Sequence, residues 1–571
     1  MPTSSEPLLV FGPRSRTYDF GPQHPLTPRR FGPGIDLLRA IGAEPELAPE
    51  PAPDDELLAC HTAAYIRTVR SFSDDPFRPP AAGISPGDDP AFPGMHEAAA
   101  AVAGGSMAAV EAILRGEVRH AFHPGGGLHH AMADRASGFC IYNDPALAIA
   151  RLRAAGLRIL YLDFDTHHGD GVQALHLDDP GVLTFSIHES GRYLFPGTGF
   201  VDELGSGRAS GTSANVPLEP FTGEAAWLDA VRSIVPGLAA TFAPDAIVSQ
   251  HGADSHAWDP LAHLRVTTTA MGEAARMVDR LAHRYADGRW LATGGGGYDA
   301  YRVVPRTWSL VWLAGAHREA PESTPAAWRE RWTQEAERYG QAPIPGRFED
   351  EPNAGRSPDE AQRAAEEASR ETSVHVRRLV LPAVVQAGID RGWHDPLDAA
   401  VAASVDSPAS AGSPEIVARL SPELADRVVI APRTLPVADA SAARALMLGA
   451  TRGGGPVVAA IDRGLVVGLA IAVDAGGHDE LLTIGVAPEF RRRGLGTALL
   501  VALADGRTNG HELRATVAVG ERDPVEPLDR ALRAVIARRL LEKARFHVRP
   551  AGGRLGRDDP EAIEGTLASS T

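Results

Sequence analysis

The densest chemistry in the chain lies in residues 120–170, HAFHPGGGLHHAMADRASGFCIYNDPALAIARLRAAGLRILYLDFDTHHGD. An adjacent pair, His129 and His130, follows three glycines, and an apolar run over 158–162 ends in Asp163, Asp165, His167, His168 and Asp170. Carboxylates and imidazoles packed this closely beside a buried run are costly to desolvate unless they bind a metal or one another. Asp165 and His167, two apart at a strand end, can be joined by Asp254 from a later loop. Two carboxylates and one imidazole suit zinc, with ferrous iron as the alternative, and leave a position open for water. His129 and His130 are candidates for general base and general acid. Asp163 and Asp170 are natural acceptors for their other ring nitrogens. Tyr298 follows four glycines, a backbone permissive enough to hold its phenol close to a developing oxyanion. Phe139 and Leu194-Phe195, in flanking loops, are placed to wall a narrow tunnel.

These side chains need a scaffold that brings distant segments together. Short apolar runs at 159–162, 182–187, 246–249 and 290–293 alternate with helical patterns at 145–155, 224–241 and 270–285. Such alternation predicts an α/β domain with a mostly parallel, buried sheet. Each run is followed at once by polar residues: Asp163, Asp165 and His167 after the first, Ser186 and His188 at the second, QHGADSH (250–256) after the third, GGGGY (294–298) after the fourth. Ligands of open parallel sheets bind beyond the carboxyl ends of the strands, so four separate runs deliver reactive groups to one edge. Residues 95–115, Ala-rich and free of proline, predict a buried helix. Prolines at 22, 25, 28 and 33 argue for a rigid loop rather than a helix over 1–35.

The chain has 571 residues, 44% hydrophobic and 23% charged, with a formal net charge of −17. An acidic chain lacks the basic footprint that nucleic acid or anionic membranes require, and we expect neither as partner. Two cysteines, Cys60 and Cys140, make neither a disulfide framework nor a CxxC metal site. With no signal-peptide pattern and no apolar run judged long enough to span a bilayer, a cytoplasmic location is the expectation.

HPGGGLHHAMADRASGFCIYND, YLDFDTHHGDGV, FPGTG, QHGADSHAWDPL and TGGGGY, in this order, resemble the zinc-dependent histone deacetylase superfamily. HPLTPRR and GDDPAFPGMHEA look most like its bacterial acetoin-utilization (AcuC-like) branch. The resemblance spans about residues 15–320. It implies an arginase-like α/β fold and hydrolysis of acyl-lysine amides, on acetylated proteins or small acetyl-amines. By the match, Asp165, His167 and Asp254 are metal ligands, His129 and His130 an acid/base pair each backed by an aspartate, and Tyr298 the group that polarises the scissile carbonyl. Arg30 matches an arginine lining an internal channel. Asp88, with Asp89 as fallback, matches a rim aspartate that holds the substrate backbone, while Gly138 and Phe139 match the tunnel wall. A potassium ion near the 163–167 turn and Ser186 is implied as well. His123, His168, His188 and His256 read as structural, and His176, His263 and His283 as ordinary histidines.

Residues 316–425 lose the strand pattern, and helices are expected at 325–339 and 358–390. We expect a hydrolase domain over 1–390 with its core at 15–320 and a helical extension at 321–390. A linker over 391–426 and a smaller α+β domain over 427–560 would follow. That second domain carries a hairpin signal at Asp462-Arg463-Gly464. It also carries VAPEFRRRGLGTALLVAL, in which a strand ending near Val486 is followed by Arg491, Arg492, Arg493, Gly494, Leu495, Gly496 and Thr497 at a helix start. Backbone N–H groups there suit a pyrophosphate. With the later ARRLLEKARF, the stretch resembles the GCN5-related N-acetyltransferases, which implies acetyl-CoA binding. Leu541 stands where that family has a tyrosine and Arg545 where it has a glycine, so binding carries over more directly than transfer. The rival readings are an acetylpolyamine amidohydrolase and an acetyl-CoA-regulated sensor.

Overall fold

The computed structural model describes residues 6–352 and 357–391, and beyond these 415–421, 429–430, 447, 456–462, 465–474, 478–486, 495–505, 512–517, 538, 541–542, 545–550 and 563–567. The chain divides into two compact units, residues 1–235 with 242–383, and residues 236–241 with 384–571.

The first unit is built on eight strands: β1 (Leu8–Val10), β2 (Glu46–Leu47), β3 (His120–His123), β4 (Ile159–Asp163), β5 (Val182–Glu189), β6 (Ser213–Leu218), β7 (Ala246–Gln250) and β8 (Trp290–Thr293). They lie in the order β2-β1-β3-β8-β7-β4-β5-β6, and each neighbouring pair is parallel. Central strands such as β4 and β7 are buried along their whole length, as a sheet covered on both faces requires. Register aligns the chemistry. Asp163 at the end of β4 pairs with Ser186 of β5 on one side and Gln250 of β7 on the other, and Gln250 pairs with Thr293 of β8.

Four strands match the expected runs; β1, β2, β3 and β6 carry too little apolar pattern to be read from sequence. A helix, Phe31–Ala40, also begins inside the stretch expected to be loop. Pro33 falls in its first turn, where the missing N–H costs nothing. The expected buried helix is Met95–Leu114. By length and composition alone it is apolar enough to cross a bilayer, contrary to the sequence expectation, but its apolar surface is enclosed by the core. Helices Ala326–Arg338 and Glu360–Arg391 follow, close to their expected ranges.

One buried ion cluster ties the end of this unit to its centre. Arg306 Nη1 donates to Asp350 Oδ1 at 2.7 Å, and Asp350 Oδ2 accepts from His256 Nε2 at 2.9 Å and from the Thr268 amide at 3.0 Å. Burial pushes the Asp350 carboxyl up, but His256 and Arg306 outweigh it and hold it far below the usual carboxylate range.

The second unit carries strands β9 (Glu415–Val417), β10 (Val429–Ile430), β11 (Val457–Asp462), β12 (Leu465–Asp474), β13 (His478–Val486), β14 (Glu512–Val517), β15 (His547–Pro550) and β16 (Ile563–Leu567). They form a mixed sheet in the order β15-β16-β14-β13-β12-β11-β9, with β10 parallel to β12. β9 lies within the stretch expected to be linker and pairs with β11. β11 and β12 pair antiparallel either side of the expected hairpin turn, whose residues 463 and 464 lie outside the described residues. β13 and β14 run parallel, joined through the helix Leu495–Asp505, whose Leu495, Leu499, Leu500 and Leu503 enter the core of this sheet.

Removing either charge of the buried Arg306–Asp350 pair strands the other. Arg306→Ala or Asp350→Ala should destabilise the first unit by about 3–5 kcal/mol, read by chemical denaturation. The wild-type contribution should be complete above the ordinary carboxylate pKa of about 4 and should be lost as pH falls toward the lower folded value.

Candidate active site

All the expected catalytic residues of the first unit meet beyond the carboxyl ends of β4, β7, β8 and β3. Asp165 and His167 follow β4, Asp254 follows β7, Tyr298 follows β8, and His129 and His130 sit in the loop after β3. His167 Nδ1 lies 3.1 Å from Asp165 Oδ1 and 3.1 Å from Asp254 Oδ2. The outer carboxylate oxygens are held from behind. Asp165 Oδ2 accepts from Gln250 Nε2 at 2.7 Å and the Gly296 amide at 2.8 Å, and Asp254 Oδ1 accepts from the Thr166 amide at 3.0 Å. One oxygen of each aspartate and one imidazole nitrogen are thereby turned toward a common centre, with all three ligating atoms within 4.8 Å of one another.

Two buried carboxylates facing inward call for a cation, and this donor set fits a zinc-like ion with room for a further ligand. The electrostatics agree. Burial pushes Asp254 up and the neighbouring Asp165 pushes it further, to about 6. Burial opposes charge on His167, yet Asp165 and Asp254 raise it to about 10.

The paired histidines are held alike but titrate apart. His129 Nδ1 donates to Asp163 Oδ2 at 2.8 Å, and His130 Nδ1 donates to Asp170 Oδ1 at 2.6 Å. Each Nε2 is left as the working atom. Burial disfavours charge on both. For His129, Asp163 and Asp165 outweigh burial and raise it to about 9; His130 stays lowered, to about 4, by burial and by its charged neighbour. Asp163 also accepts from the Tyr161 hydroxyl at 2.6 Å, which leaves it little freedom to move.

Tyr298 lines the same cleft with His129, His130, Asp165 and His167. Its amide donates to Asp259 Oδ2 at 2.9 Å and its carbonyl accepts from Gln341 Nε2 at 3.0 Å. Burial and then Asp254 raise its phenol well above the ordinary value, so the hydroxyl keeps its proton. The preceding glycines are steric necessities: a Cβ on Gly296 would overlap the Asp254 carboxylate, and Gly295 has φ +119° with Gln250 pressed against it.

Phe139 packs edge-on to Tyr298 with centroids 6.0 Å apart, and Phe195 packs edge-on to His130 at 5.0 Å. Gly138, at φ +55°, sits so close that a Cβ would lie 2.5 Å from the His130 ring and 2.8 Å from Phe195. The entrance is therefore a slot with aromatic walls. Asp88 is exposed, and its carbonyl accepts from His24 Nε2 at 3.1 Å; the His24 ring in turn lies 4.6 Å from Phe139. Asp89 is buried, its carboxyl pushed up to about 8 by burial and then by Asp88, so of the two only Asp88 faces solvent. Arg30 lies beneath the cleft, donating from Nη1 to the Gly295 carbonyl at 2.7 Å.

Several supporting residues had no sequence signal of their own. Asp144 accepts from the amides of Gly127 and Leu128 and, at 2.6 Å, from Ser106, and so fixes the loop before the histidine pair. Asn143 Nδ2 donates to the carbonyls of His129 and Ala131. Gln250 and Asp259 position the ligand loop and Tyr298. The histidines expected to be structural behave so: His123 bonds Ser106, His168 bonds Thr198 and Gln173, and His188 bonds Ser186.

In the second unit, Val486 ends β13, and Leu495, Gly496 and Thr497 begin the helix Leu495–Asp505. Arg491, Arg492, Arg493 and Gly494 lie outside the described residues. Leu541 is buried in the core and Arg545 has φ +67°.

Comparison with known proteins agrees with both halves. Residues 24–314 match the histone deacetylase domain, and residues 430–522 match the acetyltransferase (GNAT) family. The acetoin utilization protein AcuC of Bacillus subtilis (strain 168) is 44% identical over 333 residues, covering 57% of this chain and 86% of its own length. AcuC of Staphylococcus xylosus is 38% identical over 323 residues, covering 55% of this chain and 84% of its own. Among solved structures, a histone deacetylase homologue from Aquifex aeolicus superposes with a TM-score of 0.56 at 28% identity, covering 64% of this chain and all of the other. A histone deacetylase homologue complexed with SAHA superposes with a TM-score of 0.54 at 26% identity, with the same coverage. The chain belongs to the histone deacetylase family, as a hydrolytic deacetylase of AcuC type that carries a C-terminal GNAT domain.

Proposed function

We propose that the first domain hydrolyses acyl-lysine amides. The observation that carries this reading is the convergence of Asp165, His167 and Asp254 beside a histidine pair of split basicity, at the foot of an aromatic-walled slot. Asp165, His167 and Asp254 would hold zinc or ferrous iron, and the bound ion would acidify a water and polarise the amide carbonyl. His130 is the neutral member of the pair, so its Nε2 takes the proton of the attacking water. His129, with Nδ1 hydrogen-bonded to Asp163, presents its Nε2 toward the charge that develops and stabilises it electrostatically. The Tyr298 hydroxyl donates to the carbonyl oxygen as it gains charge. As the C–N bond breaks, His130 returns its proton to the departing amine nitrogen, and the carboxylic acid formed passes its proton on to the amine, leaving a carboxylate and an ammonium.

Phe139, Phe195 and the space kept by Gly138 suit the slender methylene chain of a lysine. Asp88 at the surface is placed to hold the backbone of a peptide, and Arg30 to line the inner end. A potassium ion near Ser186 rests on the family resemblance. An acetylated polyamine has a similarly slender chain, and turnover of acetylpolyamine with none of acetyl-lysine peptide would favour that substrate instead. In the second domain, the helix start at Leu495, Gly496 and Thr497, between parallel β13 and β14, supports acetyl-CoA binding; the family resemblance adds Val486 and Arg491–Gly494 to that site, the latter outside the described residues.

Chelation of the metal should abolish deacylation, and Asp254→Ala should do the same, because losing one of three ligands lowers metal affinity severely. Full turnover by metal-free protein would exclude the mechanism. Tyr298→Phe should fold normally yet lose roughly 10²–10³ in kcat, the range for one oxyanion donor. If the GNAT domain reports acetyl-CoA to the deacetylase, added acetyl-CoA should shift deacylation by a coupling of about 1–3 kcal/mol in the full chain. A flat titration would leave the two domains tethered without coupling.

A further inference from the structure

A second cluster of ligand-type side chains lies at the opposite edge of the parallel sheet. His120 is the first residue of β3, Asp279 and His283 are one turn apart near the end of the helix Thr268–Tyr285, and His317 follows the helix Val304–Gly315. These segments are distant in sequence, yet four side-chain tips meet. His283 Nε2 lies 3.0 Å from His120 Nε2 and 3.0 Å from His317 Nε2. Asp279 Oδ1 lies 3.1 Å from His317 Nε2 and 3.5 Å from the Nε2 atoms of both His120 and His283. All four ligating atoms fall within 4.8 Å of one another.

Hydrogen bonding satisfies this arrangement poorly, since His283 Nε2 has a single proton or a single lone pair to share between two histidines. A neutral imidazole Nε2 is either a donor or an acceptor. His283 Nε2 therefore cannot both give a proton to one histidine and receive one from the other, and protonating all three rings would crowd like charges at 3.0 Å. A tetrahedral zinc site with ligands at about 2.0–2.1 Å has ligand–ligand edges of about 3.3 Å. Five of the six corresponding edges in this cluster run from 3.0 to 3.5 Å, and the sixth, between His120 and His317, lies within 4.8 Å. Burial is graded as well: side-chain exposure is 4% for His120, 13% for Asp279, 41% for His283 and 46% for His317, so the cluster has a fixed floor and an open side through which an ion can enter.

We propose that His120, Asp279, His283 and His317 form a second, structural zinc site. Four protein ligands fill a tetrahedral ion, so this site holds no water for chemistry and acts as a clamp. It joins the start of β3, the last turn of one helix and the segment after another. The proposal stands apart from the catalytic reading, since it shares no residue with the cleft.

Counting zinc in the full chain, stripped and re-equilibrated with zinc, tests it. Wild type should hold about two ions and the His283→Ala/His317→Ala double variant about one, with deacetylase turnover retained. Equal zinc content in both proteins would overturn the proposal. An Asp254→Asn variant, impaired at the catalytic site, should still take up Co²⁺ with the intense visible bands of a tetrahedral centre. Absence of those bands would overturn it too, and this arm decides the matter if the double variant fails to fold.

Discussion

Asp165 and Asp254 point carboxylate oxygens at one another across a buried cleft, with an imidazole nitrogen 3.1 Å from each. Like charges in a low-dielectric interior repel strongly, and the arrangement holds because the polar atoms around it are committed. Gln250 and the Gly296 amide restrain one aspartate and the Thr166 amide restrains the other. The glycines after β8 let the backbone come close enough to donate. The wholly parallel sheet follows from the same need. Each central strand ends at one edge, so side chains from β4, β7 and β8 arrive at one point without long loops. The site is a concentration of negative charge that the fold assembles and that a cation would complete.

Much of this is legible in the sequence, for physical reasons. Ligands two apart at a strand end, paired histidines after glycines and a tyrosine after glycines are short-range patterns, and the buried strands β4, β5, β7 and β8 are continuous apolar runs. The rest depends on contacts between distant segments. β3 begins and ends in histidine, β6 contains Asn215 and Pro217, and β1 and β2 are too short to show a period. Asp144, Asn143 and Asp259 act on backbone groups away from them in sequence, which residue type alone does not announce. His283 reads as an ordinary histidine because His120 and His317, which meet it, come from distant segments and belong to no motif. Asp279, one turn before it, is the local hint.

The GNAT domain shows how a motif departure and a backbone geometry can disagree. Arg545 occupies a position where the family has glycine, and its φ of +67° is the left-handed conformation that favours glycine. A non-glycine residue therefore holds a turn that glycine would adopt without strain. Leu541, at the neighbouring tyrosine position, is buried among apolar side chains and has no hydroxyl to offer as a general acid.

The outer strands of the parallel sheet bear on how the protein keeps to itself. An unpaired strand edge is a template onto which another chain can dock. At one border β2 contributes only two residues, too short a ladder to recruit a neighbour. At the other, β6 carries Pro217, whose nitrogen has no hydrogen to give. The parallel sheet thus ends, on both sides, in borders poorly suited to gathering another sheet, a form of protection against aggregation written into one very short strand and one proline.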